Sequence, residues 1–257
     1  MLPLPGRSPA LSQDQDQDEL SGYWAFYQAV ASAQLARWLP RRSSTILDVS
    51  GGESRSARQA AEAGHHVLEV VTTPEAAADG PQRIVADPST LDFLVDGSMD
   101  AVIAEDGVLS RCLATEETVQ EIARVLRPGG RLLLCVDSLT LGLAVLAEQN
   151  LWPHLSDVPR AEVVLVPWPD GTITRCFWSD QVREFLTEAG LEVEWIRPRT
   201  VVSPSTAEHV LSQDPQALSR LVRTELQTPY DCRVEDESVG IHLLASAIKT
   251  AETARRR

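Results

Sequence analysis

The sequence predicts an α/β domain on a mostly parallel sheet with helices on both faces. Three observations predict it. Near-continuous apolar runs of strand length alternate with helix-compatible runs from Thr45 to Val136, the pattern of strands buried on both faces. The first run, Thr45 to Ser50, breaks at Gly51-Gly52 before a helix-compatible stretch from Arg55 to Glu62. That is the strand, tight turn and helix that open nucleotide-binding sheets. A chain of 257 residues with 43% hydrophobic content also suffices for one large α/β domain with a real core.

The elements follow in order. Residues 1–18 carry Pro3, Pro5, Pro9 and the alternation Gln13 to Asp18, the composition of a disordered leader. Ser21 reads as the cap of a helix bearing Tyr23, Trp24, Phe26, Tyr27, Val30, Leu35 and Trp38, stopped by Pro40. Strands are expected at 45–49, 66–71, 83–86, 100–104 and 131–136, and helices at 54–63, 74–78, 107–112 and 116–126. Residues 149–160 read as irregular. Strands at 163–167 and 172–177 flank Asp170-Gly171, a good hairpin turn. Ser179 reads as the cap of a helix to 189, with Gly190 as its stop. A sixth strand is expected at 191–196, helix at 205–226 broken near Pro215, a last strand at 239–249 and a flexible tail at 250–257.

Composition narrows the function. The formal net charge is -14, from 23 basic and 37 acidic residues. Such a surface is repelled by phosphate backbones, so no nucleic-acid partner is expected. Cys112, Cys135, Cys176 and Cys232 are scattered, which argues against a metal site or disulfide scaffold and for reduced thiols. No apolar run approaches the roughly 20 residues of a membrane span. There is no basic n-region followed by an apolar core. The expectation is a cytoplasmic protein without a membrane partner.

Four linked segments carry a family resemblance. They are Ile46 to Gly52, Ala86-Asp87, Asp96 to Val102, and Ile122 to Leu134 with its Arg127-Pro128-Gly129-Gly130 turn. At this order and spacing the chain resembles a class I S-adenosylmethionine-dependent methyltransferase of the small-molecule type, over roughly residues 21–249. The resemblance implies a three-layer Rossmann-like fold: a seven-stranded, mostly parallel sheet whose last strand, 239–249, runs antiparallel beside 191–196. It implies one methyltransferase-like domain over 19–249, with lid elements at 21–40, 149–178 and 205–230. It implies S-adenosylmethionine as cofactor and a small-molecule acceptor as partner, with a homodimer as an option.

Site residues carry over the same way. Asp48 would organise the glycine loop and help hold the methionine ammonium. Ser50, Gly51 and Gly52 would lay their backbone against the cofactor. Asp87 would accept the adenine amino proton, with Pro88 beneath the ring. Glu105 and Asp106 would face the methionine moiety and the substrate. The competing reading of all four acids is capping of local turns and helices.

The chain also departs from the family. Ser50 and Ser54 stand where glycines are frequent. Val71 occupies the place of the acid that grips both ribose hydroxyls. Losing those charged hydrogen bonds costs about 1.5–3 kcal/mol each. Thr72 or Thr73 would offer one weaker hydroxyl. Glu69, about 6.6 Å back on the same strand face, is a possible substitute.

Methyl transfer from a sulfonium is an in-line displacement, so the protein chiefly aligns the reactants and excludes water. A base is needed only when the acceptor must lose a proton. Among five histidines, His154 lies in the expected substrate-side segment and is the candidate base. Tyr23, Tyr27 and Trp152 are the candidate acceptor-pocket residues, with lid packing as their alternative role. The expected function is methyl transfer to an oxygen or nitrogen of a small molecule. The alternative is a methyltransferase-like binding, regulatory or partner subunit with weakened or lost cofactor binding. A nicotinamide oxidoreductase is disfavoured because the Gly-x-Gly-x-x-Gly turn and the acid after the second strand are missing.

Overall fold

The computed structural model describes residues 20–51, 55–73, 82–168, 170–227 and 240–250. The expected leader at 1–18, the helix at 74–78, Gly52, Ser54 and the tail beyond Thr250 lie outside the described residues.

Strands β1 (Thr45–Gly51), β2 (His66–Val71), β3 (Gln82–Val85), β4 (Met99–Ala104) and β5 (Leu126–Asp137) are parallel neighbours. A hairpin of β6 (Val164–Pro167) and β7 (Ile173–Cys176) forms a separate small sheet. β8 (Leu191–Pro198) and β9 (His242–Lys249) complete the large one in the order β3-β2-β1-β4-β5-β9-β8. β9 runs antiparallel to both its neighbours. The seven-stranded, mostly parallel sheet with an antiparallel last strand is therefore the fold. β9 begins at His242, and 239 lies outside the described residues.

Alternation of side chains across the strands makes two cores. Leu47, Val49, Val102, Leu132 and Leu134 pack on one face with α3 (Val108–Arg111), α4 (Thr115–Val125) and α7 (Ser179–Glu188). Ile46, Val67, Ile103, Leu133 and Cys135 pack on the other with α1 (Ser21–Trp38) and α2 (Ser56–Glu62). The layers are thus helix, sheet, helix. Beyond the sheet, α8 (Pro204–Gln213) and α9 (Leu218–Gln227) bury Tyr23, Phe26, Tyr27 and Val30 of α1.

Four local readings are corrected. Residues 149–160 are not irregular: α6 (Trp152–Asp157) and a 3-10 turn (Val158–Arg160) lie there. Pro153 is tolerated because the first helical turn needs no N–H partner. The unforeseen α5 (Leu139–Glu148) precedes them, capped by Ser138, whose Oγ accepts from the Leu141 N–H at 3.3 Å. Ser21 does not cap α1; Glu208 of α8 accepts the Tyr23 N–H instead, at 2.9 Å. Ser179 is the first helical residue of α7, and Gln181 reaches back to the Trp178 N–H at 3.0 Å.

Candidate active site

β1 lies between β2 and β4, where the chain's strand order reverses. In such sheets the crevice opens beyond the carboxyl ends of the strands. There a cavity of about 570 Å³ is walled by Tyr27 and Gln28 of α1, Ser56 of α2, Glu69 of β2, and Glu105 with Asp106 after β4.

Asp48 ends the apolar run of β1 and is fully buried. One carboxyl oxygen accepts the Ser50 N–H at 2.8 Å, and the other accepts the Ser56 hydroxyl. Burial pushes its pKa up to about 6, against the pull of the Ser56 and Ser50 hydrogen bonds. Asp48 therefore ties strand, loop and helix together, with both oxygens engaged inside the protein. The Ser50 Oγ accepts the Glu105 N–H at 2.8 Å, joining the ends of β1 and β4. Gly51 has φ +98°, a conformation that glycine adopts without strain.

Glu105 is buried between this loop and a buried arginine. Its Oε2 receives Arg199 Nη2, from the segment after β8. Arg199 is 1% exposed. Its Nη1 donates to the Gln34 Oε1 of α1 at 3.2 Å, and Gln34 Nε2 donates back to the Arg199 carbonyl at 2.9 Å. The other carboxylate oxygen of Glu105, Oε1, is buried with no partner among the described residues.

The cavity's other end differs. Val71 is 2% exposed at the end of β2, while Thr72 is exposed. Glu69 is 1% exposed and accepts from Arg83 Nε at 2.6 Å. Asp87 is exposed and organises its own turn, accepting from the Ser89 N–H and hydroxyl at 2.8 and 2.7 Å. Those bonds hold its pKa below the ordinary carboxylate value. Pro88 beside it is buried. Neither Asp87 nor Val71 is among the residues walling the cavity.

Residues 47–134 match the family model described as "Methyltransferase domain". That stretch, about a third of the chain, is similar to methyltransferase domains. No curated protein sequence matches the chain. Solved structures share its fold. The Burkholderia thailandensis 1,6-didemethyltoxoflavin-N1-methyltransferase, solved with 1,6-didemethyltoxoflavin and S-adenosylhomocysteine, is 18% identical. It aligns over 91% of this chain and 80% of its own, with a TM-score of 0.52. An S-adenosylmethionine-dependent methyltransferase from Mesorhizobium loti is 16% identical over 87% and 99%, with a TM-score of 0.56. The [4+2]-cyclase SpnF is 18% identical over 87% and 82%, with a TM-score of 0.55. At these identities the likeness is one of fold.

S-adenosylmethionine is the cofactor that the resemblance implies, and the buried carboxylate of Glu105 is the feature of this site that fits its ammonium group. Glu105 lines the cavity, its Oε1 is a buried acceptor without a donor among the described residues, and an ammonium supplies donors. The ribose edge departs: Val71 offers no acceptor, and Glu69 already holds Arg83.

On the acceptor side Tyr27 stands in the cavity wall. Its ring meets His242 edge-on at 5.3 Å, and the Arg199 guanidinium lies 5.8 Å from it. Tyr23 is fully buried against Trp24 and Phe26 and does not wall the cavity. His154 and Trp152 are exposed on α6 and do not wall it either. Asp106, half-buried with φ 53°, does. His242 Nε2 lies 3.6 Å from Asp137 Oδ1 at the end of β5. Burial, with the positive charge of Arg199, pushes the imidazole down to about 3. Burial pushes Asp137 up to about 7, opposed by Arg111 and Thr174. The histidine is therefore neutral at pH 7.

Sequence reasoning missed Gln34 and Arg199. Gln34 carried a signal: it continues the stripe Tyr23, Phe26-Tyr27, Val30 on the buried face of α1, where a polar residue needs a buried partner. Arg199 carried none, because its partners lie 94 and 165 residues away in sequence.

Proposed function

We propose that this chain transfers the methyl group of S-adenosylmethionine to an oxygen or nitrogen of a small molecule. The observation that carries the reading is the cavity at the switch point, lined by Glu105, whose Oε1 is buried without a partner among the described residues. Its volume, about 570 Å³, falls in the usual range for small-ligand sites. The cofactor, when bound, supplies an electrophilic methyl on a sulfonium. Glu105 and Asp106 serve its methionine end, Ser50, Gly51 and Gly52 its backbone cradle, and Asp87 with Pro88 its adenine. Tyr27 and Gln28 bring α1 over the cavity as part of a lid with 149–178 and 205–230, which excludes water from the displacement. The N1-methyltransferase of Burkholderia thailandensis, solved with 1,6-didemethyltoxoflavin bound, supports a small acceptor. Where that acceptor must lose a proton, His154 can serve as base only if α6 closes toward the cavity, which it does not wall in this structure. No helix among the described residues is long and apolar enough to cross a membrane.

A second reading has its own observation. Val71 and the Glu69–Arg83 pair leave the ribose without a ready carboxylate. The chain then works as a methyltransferase-like binding or partner subunit with weakened cofactor affinity. The shared fold of a [4+2]-cyclase agrees that fold alone does not set the chemistry.

Calorimetry with S-adenosylmethionine and S-adenosylhomocysteine separates the two. Saturable binding of both supports the enzyme. Silence with both at millimolar ligand overturns it in favour of the second reading.

A further inference from the structure

We propose that Arg199 is a positioning residue that couples α1 to the methionine end of the cofactor site, by fixing the Glu105 carboxylate to receive the cofactor's ammonium. The inference rests on the methyltransferase reading above.

The guanidinium is completely buried, yet it serves three elements. Nη2 holds Glu105 after β4, Nη1 holds Gln34 of α1, and the group lies against the Tyr27 ring of the same helix. The Cys135 thiol of β5 lies close enough to interact electrostatically with it. A charge so deep is costly unless geometry and hydrogen bonds repay its desolvation. A surface pair would stabilise the fold as well at less cost, so a buried one invites a positional explanation.

Glu105 supplies that explanation. Its backbone N–H is held by Ser50 Oγ at 2.8 Å, and its Oε2 is held by Arg199. Two anchors leave the side chain little rotamer freedom. The remaining oxygen, Oε1, is buried and unpartnered among the described residues, on a residue that lines the cavity. An unpaired buried acceptor costs free energy until a donor arrives. An ammonium group is a donor of the right charge, and its bond to a preorientated carboxylate is charge-assisted.

The link to α1 gives the arrangement a second consequence. Gln34 and Arg199 exchange two hydrogen bonds, and Tyr27 and Gln28 of α1 wall the same cavity. Docking of α1 therefore steadies the guanidinium, and the guanidinium steadies Glu105. Helix docking and cofactor binding share one set of contacts and favour each other.

The test is calorimetric titration of the full chain with S-adenosylhomocysteine. Glu105 pairs with Arg199, and the cavity that it lines also holds Arg55, Arg58, Arg83, Glu62, Glu69 and Asp106. Arg199→Gln removes the charge, and Arg199→Lys keeps it while losing the fork that holds Glu105 and Gln34 together. Expected are an affinity loss of about tenfold or more in Arg199→Lys and a larger one in Arg199→Gln. In a Glu105→Gln background, Arg199→Lys should add little further loss. A purely structural arginine would lower the melting temperature and leave the affinity of the folded protein unchanged. That result in Arg199→Lys, which retains the buried charge and so the fold, overturns the inference alone. No binding by the wild type overturns the methyltransferase reading and the inference with it.

Discussion

At the scale of single residues, Asp48 and Val71 make opposite demands on one loop. Asp48 is a carboxyl held in the core by Ser50 and Ser56, with its pKa raised to about 6 by burial. A raised carboxyl contributes stability below its unfolded pKa and loses it as pH rises through the folded one. Asp48→Asn keeps an acceptor for the Ser50 N–H and removes the buried charge. It should stabilise the protein at pH 8 by up to about 3 kcal/mol and change little at pH 4.5, where Asp48 already carries its proton. Melting curves at the two pH values decide it; an equal shift at both sinks the argument. Val71 poses the converse case. It pairs with Gly51 at the end of β2, and an acid there accepts from both ribose hydroxyls. Val71→Asp should tighten S-adenosylhomocysteine binding by about 1–3 kcal/mol. The gain is reduced by Glu69, on the same strand face, and by the apolar neighbours of a 2% exposed position. Titration of both proteins reads it. Tight wild-type binding that the substitution leaves unchanged would place the ribose on another group.

At the scale of elements, legibility followed the range of the forces. The five parallel strands and the hairpin were readable because a buried strand needs an apolar run and a tight turn needs Asp170-Gly171. The antiparallel last strand came through family resemblance, since nothing local sets the direction of β9. Helix α5 was missed although Ser138 caps it. Its sequence, Leu139 to Glu148, is apolar on every side and has Gly142 at its centre, so no helical period stands out. The structure explains that glycine. A Cβ on Gly142 would stand 2.9 Å from Cys176 Sγ and 3.2 Å from Val166 on the hairpin. Alanine gains up to about 1 kcal/mol of helix propensity, but overpacking costs about 1–3 kcal/mol. Gly142→Ala should therefore destabilise the protein in urea unfolding, and a stabilised variant would show that α5 moves freely on β6 and β7. The candidate site divides in the same way. Asp48, Ser50 and Glu105 were legible from their place at strand ends. Arg199 and Gln34 were not, because a buried polar pair between a helix and a distant strand leaves no short-range pattern.

At the scale of the whole molecule, three buried titrating groups and the surface charge set the pH dependence of stability. Asp48 and Asp137 are raised by burial to about 6 and about 7, so the folded state holds two protons that the unfolded chain releases above pH 4. Their contribution grows as pH falls from 7 toward 4. His242 is lowered to about 3, by burial first, so the unfolded chain takes up a proton there that the folded state refuses, and stability is lost as pH falls below 6.5. Two protons against one leave a net stabilisation on acidification, with a slope of about 1.4 kcal/mol per pH unit for each net proton. The formal charge of -14 acts in the same direction, because protonating exposed carboxylates relieves self-repulsion. Below about pH 4 the sign reverses. The unfolded carboxyls are then protonated too, His242 still favours unfolding, and Glu121, held below its ordinary value by Arg124, loses its ion pair. The melting temperature should thus rise from pH 8 to a maximum near about pH 4 and fall steeply below it. Salt should raise it at pH 8, where surface repulsion is greatest, and do little near pH 5. Thermal melts by circular dichroism over pH 3 to 9, with and without about 0.5 M sodium chloride, measure both. A maximum at pH 7 to 8 would mean that Asp48 and Asp137 are ionised in the folded protein at no cost, and the buried network would then have to be held by cations from outside it.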